Sequence, residues 1–266
     1  MRRSTKLLLG LAGTAVVAYL GMSAMLYSRQ HKLLYKFPAA SNGGAAVTLP
    51  LRKRGPRVMV SVRERPGRAA IVYLGGNAED VSQNLPRFES AFPRHSLYLL
   101  HYRGYGGSEG TPSEANLYAD ALALFDYAAR RHQRVIVVGR SLGSGLAVRV
   151  ASVRRIARLV LVTPYASIVG IAADQYPWAP VSLILRDRYE SFRYAPRVRA
   201  PTLVIVADDD QLIPRASSEQ LLRCFAPGVA RMTVLPGNHS SVTTDPRYLR
   251  LFLASPRAAD ADADAA

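Results

Sequence analysis

The sequence contains one cysteine, one tryptophan and, in its first 63 positions, no acidic residue. Because Cys224 is alone, no internal disulfide can form, which excludes a small disulfide-stapled scaffold. No internal repeat is visible. With 49% hydrophobic and 20% charged residues in a chain of 266, the composition is that of an ordinary globular protein, which excludes a disordered or collagen-like chain.

Basic residues are concentrated where the acidic ones are missing. Eleven of the 35 Lys and Arg residues precede Glu64, while the rest of the chain carries 24 basic and 19 acidic residues. The net charge of +16 is therefore mainly an N-terminal feature. Such charges favour contact with anionic lipid heads, at about 1 kcal/mol for each well-placed one. No recognition motif accompanies them, so we expect no nucleic-acid partner.

A run of 21 uncharged residues, 7–27, follows the basic N-terminus at 1–6. As a helix it would measure about 31 Å, roughly the thickness of a bilayer's hydrocarbon core. A signal peptide has a shorter apolar region; Gly21 and Ser23 would suit its cleavage site, but the run continues beyond them. We therefore favour an uncleaved single-pass transmembrane helix, followed by a basic juxtamembrane segment, 28–57.

The flanking charges do not determine how this helix is oriented. Three basic residues lie near each end of the run, so the positive-inside rule is balanced. We favour an extracytoplasmic location for the domain that follows, and the charges leave both orientations open.

Strand and helix patterns alternate over residues 58–254. Strands are predicted at 58–62, 70–74, 97–101, 135–138, 159–162, 203–206 and 231–235, and helices after Thr111 and at 142–153, 217–224 and 246–253. Thr111, Pro112 and Glu114 have the spacing of a capping box. The alternation predicts an α/β domain with a doubly wound, mostly parallel sheet. An irregular insert is expected at about 164–199 and a disordered tail at 255–266.

Gly139-Arg140-Ser141-Leu142-Gly143 lies between a four-residue apolar strand and a helix pattern. A nucleophile elbow requires that context. Gly139 and Gly143 would allow close packing around a strained turn, leaving the Ser141 hydroxyl exposed at the helix N-terminus. The backbone N–H of Leu142 could then point at a developing oxyanion. The alternative is a plain glycine-rich turn between a strand and a helix.

A serine hydroxyl is a poor nucleophile without a base, and the chain has five histidines. Of these, His239 fits the chain order serine, acid, histidine that is typical of α/β hydrolases. The acid should follow a strand between the two, and the aspartates at 208–210 do so. Such a carboxylate would hold the imidazole tautomer. The residues alone leave the choice among the three aspartates open.

The strand at 70–74 is followed by Gly75, Gly76 and Asn77. Two glycines let the backbone approach a ligand closely, so this loop could supply a second oxyanion donor. The alternative is an ordinary turn. The loop lacks the spacing and the lysine of a phosphate loop, which excludes an NTPase.

These motifs resemble the Bem46-like branch of the α/β-hydrolase superfamily over about residues 33–253. The stretch His-Tyr-Arg-Gly-Tyr-Gly at 101–106 is similar to a long motif of that branch, and Gly75 stands where the branch has a histidine. The resemblance implies an α/β-hydrolase fold with a short insert after strand 6. It further implies a nucleophile at Ser141, a base at His239 and, through the proline at 214, an acid at Asp210.

The resemblance also places the oxyanion donors at Asn77 and Leu142. It implies a membrane-anchored serine hydrolase that cleaves carboxylic esters or thioesters of a small-molecule or lipid acyl substrate, without a metal or a cofactor. Peptide or amide substrates stay open, and a non-catalytic binding protein on the same fold is the rival hypothesis. Because all implied catalytic groups lie beyond Gly75, we expect the domain to fold and act without the segment before Phe37.

Overall fold

The computed structural model describes residues 3–37, 46–49, 51 and 55–254. Its strands are β1 (Ala46–Thr48), β2 (Met59–Arg63), β3 (Ala69–Leu74), β4 (Ser96–Leu100), β5 (Arg134–Arg140), β6 (Arg158–Val162), β7 (Thr202–Ala207) and β8 (Ala230–Leu235). They form one sheet in the order β1-β2-β4-β3-β5-β6-β7-β8. Strand β2 runs antiparallel to both its neighbours, and all pairings from β4 to β8 are parallel. The predicted mostly parallel sheet is confirmed.

The helices of the described residues are α1 (Arg3–Leu34), α2 (Leu85–Ala91), α3 (Glu114–Ala129), α4 (Leu142–Val153), α5 (Ile168–Gln175), α6 (Val181–Ile184) and α7 (Arg215–Cys224). Short 3₁₀ segments lie at Val81–Asn84, Ser191–Arg193, Ala195–Arg197, Ser241–Thr244 and Arg250–Phe252. Side chains alternate between the two faces of the sheet along each strand. A separate core cluster covers each face. Val72 and Val137 pack into one core cluster, and Ile71 and Ile136 into the other.

Helix α3 begins at Glu114, not directly after Thr111 as the capping box predicted. The N-cap is Ser113, whose Oγ accepts a hydrogen bond from the N–H of Asn116 at 3.2 Å. Glu114 cannot complete a capping box, because its Oε2 accepts the N–H groups of Arg188 and Tyr189, both at 2.9 Å. The N-cap is therefore Ser113, and the Glu114 side chain is used in contacts with the insert.

Two further predictions of local structure were wrong. The insert at 164–199 is not irregular, since it contains α5, α6 and two 3₁₀ segments. The helix expected at 246–253 is reduced to the 3₁₀ segment Arg250–Phe252. There, Phe252 is buried and stacks on Phe92 at a centroid distance of 5.7 Å. The predicted tail at 255–266 lies outside the described residues.

The segment after the predicted transmembrane run is part of the domain. Helix α1 continues to Leu34, and the next residue, Tyr35, is 1% exposed. The Tyr35 hydroxyl donates to Asp187 Oδ2 at 2.9 Å and lies 2.8 Å from the hydroxyl of Tyr189. Strand β1 also joins the sheet before residue 58, the expected domain start. Residues before Phe37, which we expect the domain not to need, therefore pack against it.

Candidate active site

The turn between β5 and α4 has the geometry of a strained elbow. Ser141 has φ of 47° and ψ of −118°, a backbone conformation that residues other than glycine rarely adopt. A Cβ at Gly139 would lie 2.5 Å from the carbonyl oxygen of Gly143, and one at Gly143 only 2.0 Å from that of Leu74. Both positions therefore require glycine, because any side chain would displace the backbone that holds the serine.

The structure brings His239 and Ser141 together although 98 residues separate them. The Nε2 atom of His239 lies 3.0 Å from Oγ of Ser141, and its Nδ1 atom lies 2.8 Å from Oδ2 of Asp210. A base and its nucleophile need this hydrogen-bond distance for proton transfer. The three predicted side chains thus form one continuous hydrogen-bonded chain.

Tertiary structure distinguishes the three neighbouring aspartates. Asp208 accepts the N–H of Gly237 at 2.8 Å, and Asp209 accepts the side chain of Gln211 at 2.7 Å, so neither faces the histidine. Asp210 alone of the three contacts His239. Asp210 is also the aspartate that the family resemblance selects through the proline at 214.

The second carboxylate oxygen of Asp210 is held by backbone. Oδ1 accepts the N–H groups of Leu212 and Ile213, at 2.9 and 2.8 Å. Burial opposes ionisation of the carboxyl, but the hydrogen bonds from His239 and from these two N–H groups outweigh it and lower the pKa of Asp210. The carboxylate is therefore ionised and fixed in orientation.

Two backbone N–H groups adjoin the serine without an acceptor among the described residues. These belong to Leu142, at the N-terminus of α4, and to Asn77, in the loop after β3. The Asn77 amide is engaged elsewhere: Nδ2 donates to the carbonyl of Leu34 at 2.7 Å, and Oδ1 accepts the N–H of Lys36 and the hydroxyl of Tyr105, each at 2.9 Å. Only the backbone of Asn77 is therefore free to meet a ligand.

The glycine pair before Asn77 is closely packed. A Cβ at Gly75 would lie 2.5 Å from Cγ1 of Val81, and one at Gly76 would lie 3.1 Å from Oε2 of Glu79. The carbonyl of Gly75 also accepts the Tyr102 hydroxyl at 2.7 Å. The loop is therefore held by packing against Val81 and Glu79 and by the hydrogen bond from Tyr102.

Sequence reasoning missed a partly buried ion pair that joins the three loops of the site. Arg140 Nη1 lies 2.9 Å from Oε2 of Glu79, an oxygen that also accepts the N–H of Gly76. Arg140 Nη2 donates to the carbonyl oxygen of His239 at 3.3 Å, and Oε1 of Glu79 accepts the Tyr73 hydroxyl at 2.6 Å. The available signal was the charge of Arg140 inside the glycine-serine motif.

A cavity of about 350 Å³ opens beside Ser141. This volume is within the range of about 300–1,000 Å³ that is usual for ligand pockets. Its lining residues come from the C-terminal part of α1, from the insert and from the turn after β7. Among the residues that the structure describes, no group of three His, Cys, Asp or Glu side chains could hold a metal ion.

Comparison with known proteins agrees with this architecture. Residues 70–193 match the family model described as the alpha/beta hydrolase fold. An uncharacterized protein of Mycobacterium tuberculosis, Rv2307c, is 35% identical over 247 residues, covering 84% of this chain and 85% of that protein. The bem46 protein of Schizosaccharomyces pombe is 24% identical over 237 residues, covering 75% and 79% of the two chains.

The chain belongs to the Bem46-like α/β-hydrolase family. The fold of this Bem46-like chain is also similar to that of Est1E from Butyrivibrio proteoclasticus, in a structure with ferulic acid bound. That match has a TM-score of 0.63 and 14% identity, covering 76% of this chain and 96% of that one. It supports the fold alone.

The stretch at 101–106 supports the site of this Bem46-like hydrolase without entering it. Tyr102 and Tyr105 hold the loop of Gly75 and Asn77, as described above. Arg103 donates to both carboxylate oxygens of the buried Asp120, at 2.6 and 2.9 Å. Tyr102 and Tyr105 therefore contact the loop that carries the Asn77 N–H, whereas Arg103 contacts α3.

Proposed function

We propose that this Bem46-like hydrolase is a membrane-anchored serine hydrolase that cleaves carboxylic esters or thioesters through an acyl-enzyme. The observation that carries the proposal is the chain of hydrogen bonds from Asp210 through His239 to Ser141, at the N-terminus of α4. The same geometry gives each group a role in acyl transfer.

In the acylation step, Oγ of Ser141 attacks the carbonyl carbon of the substrate while Nε2 of His239 takes the hydroxyl proton. The charge that develops on the carbonyl oxygen is stabilised by the N–H groups of Leu142 and Asn77. Asp210 stabilises the imidazolium that forms. The carbon–oxygen or carbon–sulfur bond then breaks, and His239 returns the proton to the leaving alcohol or thiol.

Deacylation repeats the sequence with water in place of the serine. His239 removes a proton from the water as it attacks the acyl carbon, and the bond to Oγ of Ser141 breaks. The acid product leaves, the serine recovers its proton, and no metal or redox partner enters the balance.

Membrane anchoring is proposed from helix α1. Its segment Gly10–Leu34 is long and apolar enough to cross a bilayer by length and composition. Leu11, Val17 and Leu20 are 61%, 71% and 59% exposed, so they have no partner surface in the described part of the chain. A lipid environment would remove that apolar surface from water.

The proposal is tested by labelling the purified full-length protein with a fluorophosphonate probe. We expect stoichiometric labelling of the wild type and none of Ser141→Ala, together with a loss of ester hydrolysis of up to about 10⁶-fold. A Ser144→Ala variant is the matched control, because Ser144 is buried in α4 one turn away. Retention of a tenth of wild-type hydrolysis in Ser141→Ala would contradict the proposal.

A further inference from the structure

One wall of the cavity beside Ser141 is built by the same helix that we propose crosses the membrane. The lining positions on α1 are Leu26, Gln30, Leu33 and Leu34. Their spacing places them on one face of the helix. The opposite wall comes from the insert, where Ile171 and other aliphatic residues of α5 and α6 line the cavity.

The two walls are joined by specific contacts. Gln30 Nε2 donates to the carbonyl of Ile184 at 3.2 Å, and Gln30 Oε1 accepts the N–H of Arg186 at 2.8 Å. Arg186 in turn lies over the ring of Tyr27, with its guanidinium carbon 4.5 Å from the ring centroid. Because the Gln30 amide is used in this way, it does not make this wall polar.

The cavity begins where the apolar run ends. Leu26 lies in the last turn of the uncharged segment, and Leu34 lies about 12 Å further along the helix axis. Arg29 and Lys32 are exposed on this same stretch, at the level where lipid headgroups would meet a helix that spans at residues 7–27. With a span at residues 7–27, one end of the cavity would lie at the bilayer surface and the other at Ser141.

We infer that this cavity binds the single acyl chain of a membrane-resident ester, which enters from the bilayer along α1. The inference rests on the proposed function and names its substrate class. The apolar lining favours hydrocarbon, and among the described residues that line the cavity only Lys36 is charged. The backbone N–H and C=O groups of a peptide would need hydrogen-bond partners in the cavity. The mostly apolar lining offers few of them.

The walls are tested by filling the cavity from each side in the full-length protein. In Leu33→Trp and in Ile171→Trp, we expect kcat/KM for 4-nitrophenyl palmitate, relative to that for 4-nitrophenyl butyrate, to fall by about tenfold or more. Leu183→Trp is the matched control, because Leu183 is 84% exposed on α6 and does not line the cavity. An unchanged ratio in both cavity variants would overturn the inference.

The entry route is tested with wild-type protein in phosphatidylcholine vesicles. We expect a long-chain 4-methylumbelliferyl ester placed in the same vesicles to be hydrolysed at least about tenfold faster than the same ester in added vesicles. Equal rates would overturn entry from the bilayer. Fluorophosphonate labelling separates the proposed function from the acyl-binding role of the cavity. If Ser141 is not labelled, the proposed function is wrong. If Ser141 is labelled but the chain-length ratios and the vesicle rates are unchanged, only the acyl-binding role is wrong.

Discussion

The carbonyl oxygen of Leu34, the last residue of α1, accepts a hydrogen bond from Nδ2 of Asn77 at 2.7 Å. Lys36 adds a second contact from its backbone N–H to Oδ1 of the same side chain, at 2.9 Å. The end of the proposed anchor thereby fixes the loop whose N–H group meets the oxyanion in the proposed mechanism. Two hydrogen bonds therefore connect the end of α1 to the loop that carries Asn77.

The first prediction concerns this connection. A chain that starts at Phe37 loses the contacts of Leu34, Tyr35 and Lys36, so we expect kcat for butyrate esters to fall by about tenfold or more. A chain that starts at residue 23 keeps them and should retain near wild-type kcat with soluble esters. Steady-state kinetics and thermal unfolding of both proteins provide the measurement. Equal activity of the two would contradict a role for these contacts.

The second prediction concerns Arg140, which we regard as a positioning residue. Arg140→Met removes the bonds to Glu79 and to the His239 carbonyl, so we expect kcat to fall by about 10²-fold with little change in KM. Arg140→Lys should recover part of the loss, since it restores the charge beside Glu79. Arg154→Met, at a surface ion pair with Asp126, is the control. If Arg140→Met changed KM as strongly as kcat, a positioning role for Arg140 would be contradicted.

The third prediction concerns the acid. Asp210→Asn should lower kcat by about 10⁴-fold, because an amide no longer holds the imidazole in the required tautomer. Asp208→Asn and Asp209→Asn should stay within about threefold of wild type, since an amide oxygen still accepts their present hydrogen bonds. Measured kcat values for the three variants check this. If the Asp209 variant were the impaired one, the assignment of Asp210 would be wrong.

The fourth prediction concerns stability against pH. Burial lowers the pKa of His101, whose Nε2 lies 2.8 Å from Oγ of Ser61. Below pH 6.5, His101 binds a proton in the unfolded chain but not in the folded one. The contribution of His101 to the free energy of unfolding is therefore full above pH 6.5, and it is lost as the pH falls from 6.5 towards the lowered pKa. The slope is at most about 1.4 kcal/mol per pH unit for this group.

Denaturant unfolding between pH 8 and 5 measures this slope. In His101→Gln, whose side chain does not titrate, we expect a flatter dependence of the free energy of unfolding on pH. His95 contributes in the same direction, because burial and the charge of Arg134 lower its pKa as well. Wild type and His101→Gln with identical slopes would show that His101 titrates alike in both states.

Patterns that depend on neighbouring residues were predictable. The strand before Ser141 and the helix after it were found because hydrophobic runs and glycines act within a few residues. The start of α3 was misplaced, since the role of Glu114 depends on Arg188 and Tyr189 in the insert. Likewise, a sequence window around 246–253 could not show that Phe252 would be held by Phe92.

The α/β alternation, the elbow around Ser141 and the apolar length of α1 could be read from residue type and local spacing alone. Tertiary structure decided which aspartate faces His239, since that depends on how the turns after β7 and β8 meet in space. It also decided that Arg140 pairs with Glu79 and that the end of α1 packs into the domain. These are contacts between remote segments, and their partners are set by the packed sheet rather than by any local pattern.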